Sequence, residues 1–380
     1  MSQTVPNLAA NVMPGPGTPQ SAPRNDFEQS PPLRGIARGW FGADRLLRTL
    51  TQGSAALVLL MMAALVLVLT VAAVPSMRAF GTRFLFGTSW RPNELEVIKR
   101  NNAGRPVDEQ GNVTTDLDEA AKIRIPPKFG ALPVIWGTAA SSLIALSVAV
   151  PLSMGAALFL VRIATRGFVA PVSFLIEFLA AIPSIAYGIW GLFVLSPLLQ
   201  RHVEPALNSF FAKVPGLRWM HFDGFTTGRD MLCGGLILGI MILPIITAVS
   251  RDVLKAVPRA QIEGTLALGA TWWQSCWEML RYSRSGLFGA VMLGLARAAG
   301  ETMAVTMVIG NVNQISSTPF APAQTMSSLL ANSFREASTE TGERAALFEV
   351  ALILLLMSLS FNIVARYLVV GKNARGATGA

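Results

Sequence analysis

TLTQGSAALVLLMMAALVLVLTVAAVPSM, residues 49–77, is a charge-free apolar run of 29 residues. A bilayer core is crossed by roughly 20 helical residues, so the run predicts a transmembrane helix with length to spare. It starts some way into the chain and is too long for the apolar region of a cleaved signal peptide, so it is expected to be retained. Further runs span Phe129–Val161, Gly167–Gln200 with only Glu177 inside, and Met231–Ser250. Ser285–Gly310 follows despite Arg297 and Glu301, and Ala345–Ala365 despite Glu349. Together they predict an all-α integral membrane protein of about six transmembrane helices, with both termini on one side.

Composition agrees. With 52% hydrophobic residues and only 14% charged, the chain is too apolar for ordinary soluble domains. The net charge of +9 does not point to nucleic acid, because the Lys and Arg are scattered between apolar runs. Cys233 and Cys276 stand alone, with neither a disulfide framework nor metal-ligand spacing. Residues 1–32 are rich in Pro and small polar residues, a composition that cannot bury a core. They read as the disordered part of an N-terminal tail, 1–48.

Loop charge sets the orientation. The cluster Arg34, Arg38, Arg45 and Arg48, the turn Arg162–Arg166, the segment Arg251–Arg284 and the tail with Arg366, Lys372 and Arg375 fall on one face. Loops rich in Lys and Arg stay in the cytoplasm, so that face, including the tail 371–380, is expected inside. Residues 78–128, 201–230 and 311–344 then lie outside, the first as a long turn-rich periplasmic loop. The main transmembrane domain is 129–370.

No catalytic or nucleotide-cradling pattern occurs. Gly371-Lys372 lacks the upstream glycine and following hydroxyl of a phosphate loop, and the two histidines, His202 and His221, fall in one outer loop. Such a chain reads as a conduit, not an enzyme. Arg251–Arg284 is too long for a turn and is amphipathic; Pro258 suits a helix start, and Gly269 separates Gln261–Leu268 from Thr271–Leu280. Trp272, Trp273 and Trp277 in it read as interface anchors.

In the fifth run, Arg297 and Glu301 stand four apart, so a continuous helix places them on one face where they can pair. A charge at membrane depth costs about 2.5–3.5 kcal/mol on insertion scales, which argues that it faces a polar or protein-lined interior. Ala290, Gly294 and Ala298 on about the same face allow a close helix approach. Arg297 thus reads as an anion-binding cation held by Glu301, with Thr302 and Thr306 offering hydroxyls nearby. The plainer reading is a buried pair that sets helix register. Glu177 and Glu349 are weaker pathway candidates, and Pro151, Pro183 and Pro244 are expected to kink their helices.

Glu263-Gly264-Thr265, three residues and then Gly269-Ala270, resembles the cytoplasmic coupling loop of ABC importer permeases, although both alanines of the usual Glu-Ala-Ala are replaced. Ala296–Asn311, ARAAGETMAVTMVIGN, resembles the signature of phosphate ABC transporter permeases of the PstC type. Phe129-Gly130-Ala131-Leu132-Pro133 with Gly137-Thr138 and Ser142 agrees, as does Leu179-Ala180-Ala181-Ile182-Pro183-Ser184 with Tyr187-Gly188 and Trp190-Gly191. The likeness covers roughly residues 50–370. It implies a type I ABC importer permease fold, import of inorganic phosphate by alternating access, and no cofactor on this chain. It also implies a second permease of PstA type, two ATP-binding subunits of PstB type carrying ATP and magnesium, and a periplasmic phosphate-binding protein of PstS type. The setting implied is a bacterial inner membrane. By the residues alone, a permease for sulfate or molybdate and an ion-coupled carrier remain alternatives.

Overall fold

The computed structural model describes residues 37–92, 95–98, 122–125, 127–214, 216, 218–222, 224, 226–339 and 342–376. The disordered stretch expected at 1–32 lies outside them. The chain divides into two units, Met1–Ala63 and Ala64–Ala380. The described part of the first is the opening of helix α1, Ala37–Phe80, where Leu57, Leu59 and Leu60 are exposed, an apolar surface suited to lipid.

In the second unit α1 ends shortly after Pro75, and a short helix α2, Arg83–Phe86, follows. The expected outer loop is pinched at its neck, where the Arg91 amide donates to the Lys128 carbonyl at 2.7 Å and the reverse bond is 3.0 Å. Inside it, strands β1, Leu95–Ile98, and β2, Lys122–Ile125, pair antiparallel with Leu95 opposite Ile125. The turn-rich composition of this loop hides the pairing, although both strands carry the β-branched residues that favour it.

The bundle is built on α3, Leu132–Arg162, and α6, Met231–Lys255. They approach closely because α6 offers glycine at the contact. A β-carbon on Gly239 would lie 3.2 Å from the Ala145 carbonyl, and one on Gly235 would lie 2.5 Å from Ile144. The Ser153 hydroxyl of α3 donates across the same seam to the Leu243 carbonyl at 3.0 Å. Asp230 starts α6 as its N-cap, accepting from the Cys233 amide at 2.9 Å. Pro151 and Pro244 lie inside these two helices, which remain continuous past them.

Between them the third expected run does not form one straight helix. Helix α4, Arg166–Ala181, meets α5, Ser184–Lys213, at a bend of 88°. Ile182 is extended at ψ 130° because Pro183 follows it, and Pro183 has no amide to continue the ladder. Past the bend, α5 contains the π-helical turns Gly191–Leu195 and Leu199–Val203. It runs beyond the expected end at Gln200, so His202 sits in a helix and not in a loop. Arg251 at the far end of α6 bridges to Glu177 of α4 at 3.6 Å.

The segment after α6 folds as expected into two surface helices, α7, Arg259–Ala267, and α8, Trp272–Tyr282. Pro258 precedes the first, and Thr271 and Gln274 form a reciprocal capping box on the second. Then come α9, Arg284–Gly300, α10, Met303–Val308, α11, Met326–Ser333, and α12, Glu343–Gly376. Four described helices are long and apolar enough to cross a membrane, or five if the bent pair α4–α5 is counted as one span. The run Ser285–Gly310, expected as one span, is broken between α9 and α10. Gly300 weakens the helix there, and Glu301 leaves helical geometry at ψ 128°.

The main core gathers Ala145 and Ala149 of α3, Ile237, Ile242 and Ile246 of α6, Ala290 and Ala298 of α9, and Val305 and Val308 of α10. Ala290 and Ala298 are buried, and a β-carbon on Gly294 would lie 2.6 Å from Ile246, so the small-residue face of α9 does admit α6 closely.

Candidate pathway and coupling segment

Arg297 lies in the last turn of α9 and is exposed. Among the described residues it has no ion-pair or hydrogen-bond partner. The pairing expected with Glu301 is not formed, because the four-residue spacing brings two side chains together only on a continuous helix. Glu301 instead turns to the next helix, where its Oε1 accepts from the Ala304 amide at 3.3 Å. An anionic side chain at the start of α10 satisfies a backbone donor that the break leaves free.

The rest of the break is satisfied locally and from α11. The Thr306 hydroxyl donates to the Thr302 carbonyl at 2.6 Å, and Thr302 itself reaches the Gly300 carbonyl at 3.4 Å. Both hydroxyls therefore give their proton to backbone rather than to an open space. The Ser327 hydroxyl donates to the Glu301 carbonyl at 2.8 Å, and the Met326 amide donates to Thr138 of α3 at 2.9 Å. Ser327, buried at 4% exposure, is the residue that sequence reasoning missed. Its signal is the capping pair Thr325 and Ser328, which marks a helix start inside what reads as an outer loop. After α10, Asn311 takes a left-handed conformation at φ 54° and donates to the Thr306 carbonyl at 2.6 Å.

Irregular backbone at span depth is stable only where protein or water satisfies it. Protein does so on one side of the α9–α10 break, while Arg297 is left open on another. A cavity of about 760 Å³ also opens beside the break, reached by Gly300, Thr302 and Ser327 and walled mostly by apolar groups such as Leu330, Phe334 and Leu354, with Arg335 the one charged side chain among the described residues lining it.

The two weaker acidic candidates are tied into the scaffold. Glu349 is buried and accepts from Ser76 at 2.6 Å, which fastens α12 to α1. Glu177 is exposed and joined to Arg251. At the opposite end of α6, Asp230 is fully buried, and its carboxyl is pushed up to about 8, mainly by burial and further by the nearby Glu204 charge, against the pull of the Cys233 amide.

In the candidate coupling segment, Glu263, Gly264 and Gly269 are exposed, and Thr265 and Ala270 are half-buried. Gly269 stands at φ 82°, a conformation that costs a side-chain-bearing residue but not glycine. Its amide donates to the Leu266 carbonyl at 3.0 Å and the Ala270 amide to the Thr265 carbonyl at 3.2 Å, which closes the end of α7. Thr265 also reaches the Ser275 hydroxyl of α8 at 3.2 Å. Leu268, Trp273 and Trp277 project outward at 90%, 62% and 60% exposure, an apolar surface of the kind that marks a docking site.

Residues 149–371 match the family described as binding-protein-dependent transport system inner membrane component. The chain is 39% identical to a phosphate transport system permease protein PstC of Mesorhizobium japonicum over 89% of this chain and 92% of that one. It is 38% identical to a protein of the same description from Haemophilus influenzae, over 86% and 93% of the two chains. A third, from Xylella fastidiosa, is 42% identical over 63% of this chain and 73% of its own length. Matched over more than half its length by the family and along most of its length by these relatives, the chain belongs to the binding-protein-dependent transport system inner membrane component family, in its PstC type.

Proposed function

We propose that this chain is one of two permease subunits of a phosphate-importing ABC transporter in a bacterial inner membrane, with α4–α5 and the broken α9–α10 run each crossing once, which makes six spans and leaves both termini cytoplasmic. The observation that carries the reading is Arg297, a guanidinium without a partner among the described residues, set at a helix break inside an apolar run. Placing it there is costly unless it faces an aqueous or protein-lined path, and its planar fork of donors matches an oxyanion. The names of the relatives support phosphate over sulfate or molybdate.

The partners follow from the same reading. A second permease of PstA type completes the pathway on the open side of Arg297. Two ATP-binding subunits of PstB type, which carry ATP and magnesium, receive α7 through Glu263, Gly264, Thr265, Gly269 and Ala270. A binding protein of PstS type delivers phosphate from the periplasm. Movement of α7 rocks the bundle between two states, and the α9–α10 break exposes Arg297 to each side in turn. Glu301, Thr302 and Thr306 keep the break in shape, so of these four residues Arg297 is the one that offers a cation to the anion.

The test is reconstitution of the four components in vesicles. Uptake of labelled phosphate should need ATP and the binding protein and should ignore excess sulfate and molybdate. Competition by sulfate would move the assignment to another oxyanion, and uptake by this chain alone would point to a carrier.

A further inference from the structure

Two acidic side chains take no part in the α9–α10 break or in helices α7 and α8, yet they meet in the interior. Glu204 of α5 and Asp230, the N-cap of α6, are both fully buried, and their carboxyl groups lie within hydrogen-bond reach of each other. Asp230 Oδ1 accepts from the Cys233 amide at 2.9 Å. Asp230 Oδ2 and both oxygens of Glu204 are buried without a hydrogen-bond partner among the described residues. The Thr226 hydroxyl and the Gly228 amide approach Glu204 but complete no hydrogen bond to it. Two like charges in one dry site repel, and acceptors left unpaired there bear the full cost of leaving water. One proton removes both costs, because a carboxylic acid donates where a carboxylate can only accept.

The local backbone takes part. A π-helical turn, Leu199–Val203, ends immediately before Glu204. Such a turn inserts one residue, and each residue rotates a helix by roughly 100°, so the side chains that follow are re-aimed. No cation neutralises the pair instead. Arg201, His202 and Arg229, its nearest basic residues in sequence, are exposed and form no ion pair with either acid among the described residues. The other titratable group facing both carboxyls is Cys233, whose thiol brings no positive charge. Residues 310–323, whose Pro319 and Ala321 carbonyls accept from the Leu232 and Met231 amides, contain no titratable side chain, and neither does α3 before Arg162.

We propose that Glu204 and Asp230 form a proton-binding site, with one proton held between the two carboxyls and tying the last turns of α5 to the start of α6. In the bound state Asp230 Oδ2 carries the proton and donates it to the Glu204 carboxylate. Release passes that proton to water and leaves two carboxylates face to face, which pushes α5 and α6 apart. Burial raises the Asp230 carboxyl to about 8, so the site is loaded in neutral water and empties in alkali. The consequence for transport rests on the proposed function. There, this end of the bundle faces the periplasm, and an outer end that has come apart no longer closes behind the anion, so import slows.

The experiment reads the proton by infrared spectroscopy of the purified full assembly, and its consequence by ATP-driven uptake of labelled phosphate into vesicles buffered inside at constant pH. Both are measured at about pH 6.5 and about pH 9.5, on either side of the Asp230 value. The native assembly should show a protonated-carboxyl stretch that disappears at the higher pH. Glu204→Gln and Asp230→Asn should both lack it, because their amides supply a hydrogen bond without a titrating proton. Native uptake should fall at least threefold between the two pH values, and uptake by each variant, relative to its own rate at the lower pH, by less than twofold. Phosphate and the binding protein titrate identically in all three, so the difference between them reports the site. Two variants at separate positions keep the test open if one fails to assemble. A stretch that either variant keeps in full, or a native stretch that persists in alkali, overturns the shared proton. The same pH profile of uptake in all three overturns the latch. Absence of all uptake overturns the transport reading instead, and the infrared result still decides the proton.

Discussion

Ser327 donates its hydroxyl to the Glu301 carbonyl at 2.8 Å, so a side chain from α11 completes the backbone of the α9–α10 break. The break is therefore a built feature, held from outside its own helix. Leaving that carbonyl unpaired costs about 1–3 kcal/mol in a buried setting. Ser327→Ala should lower the melting temperature of the solubilised chain by several degrees and reduce phosphate uptake with it. An unchanged melting temperature would show that the break does not depend on α11.

The seam between α3 and α6 makes opposite predictions for two glycines. Gly235→Ala drives a methyl to 2.5 Å from Ile144, whereas Gly155 on α3 has nothing within 4 Å. Overpacking costs typically about 1–3 kcal/mol, while alanine in place of glycine in an open helical position gains up to about 1 kcal/mol. Thermal unfolding should show Gly235→Ala below the native chain and Gly155→Ala at or above it. Equal shifts would contradict the close approach.

Gly269 sits at φ 82° between α7 and α8, and Gly269→Ala forces a β-carbon into that region at a cost of about 1–2 kcal/mol. The local closure of α7 through the Gly269 and Ala270 amides should loosen, changing the angle at which α7 is presented. Co-purification of the ATP-binding subunit, and the stimulation of its ATPase activity by the permease, should both fall several-fold. Normal stimulation would remove Gly269 from the coupling role.

Burial raises the Asp230 carboxyl to about 8 from its ordinary 3.8. The folded chain thus keeps a proton that the unfolded chain releases above about pH 4. Its contribution to stability is fullest below that pH and declines as pH climbs toward 8, by roughly a kcal/mol per pH unit. Asp230→Asn preserves an oxygen to cap α6 but cannot titrate. Melting temperatures across this range should fall less steeply for the variant; parallel slopes would rule out Asp230 as the source.

Apolar runs make the spans legible, because a helix in lipid must be long and uncharged to satisfy its own backbone. Helices α7 and α8 are legible for a local reason, since Pro258, Gly269 and the Thr271 cap act on their immediate neighbours. What escapes is set by distant residues. Periodicity alone suggests that Arg297 and Glu301 share a face, but Gly300 is a weak helix former and Ala304 offers a nearer partner for Glu301. The role of Ser327 depends on α11 folding back to the break, and no spacing along the sequence reports that. Strands β1 and β2 are obscured by the turn residues around them. Pro183 can be read as a kink, yet a bend as large as 88° depends on how α5 packs after it.

Whether Arg297 is the anion contact is decided by ATP-driven uptake of labelled phosphate in the reconstituted assembly. The native chain, Arg297→Lys and Arg297→Ala are compared side by side, with assembly checked by co-purification. Uptake should fall at least tenfold in both variants, because an ammonium supplies the charge but not the two-pronged donor geometry. Uptake near the native rate in Arg297→Ala would contradict that role and place the pathway elsewhere in the bundle.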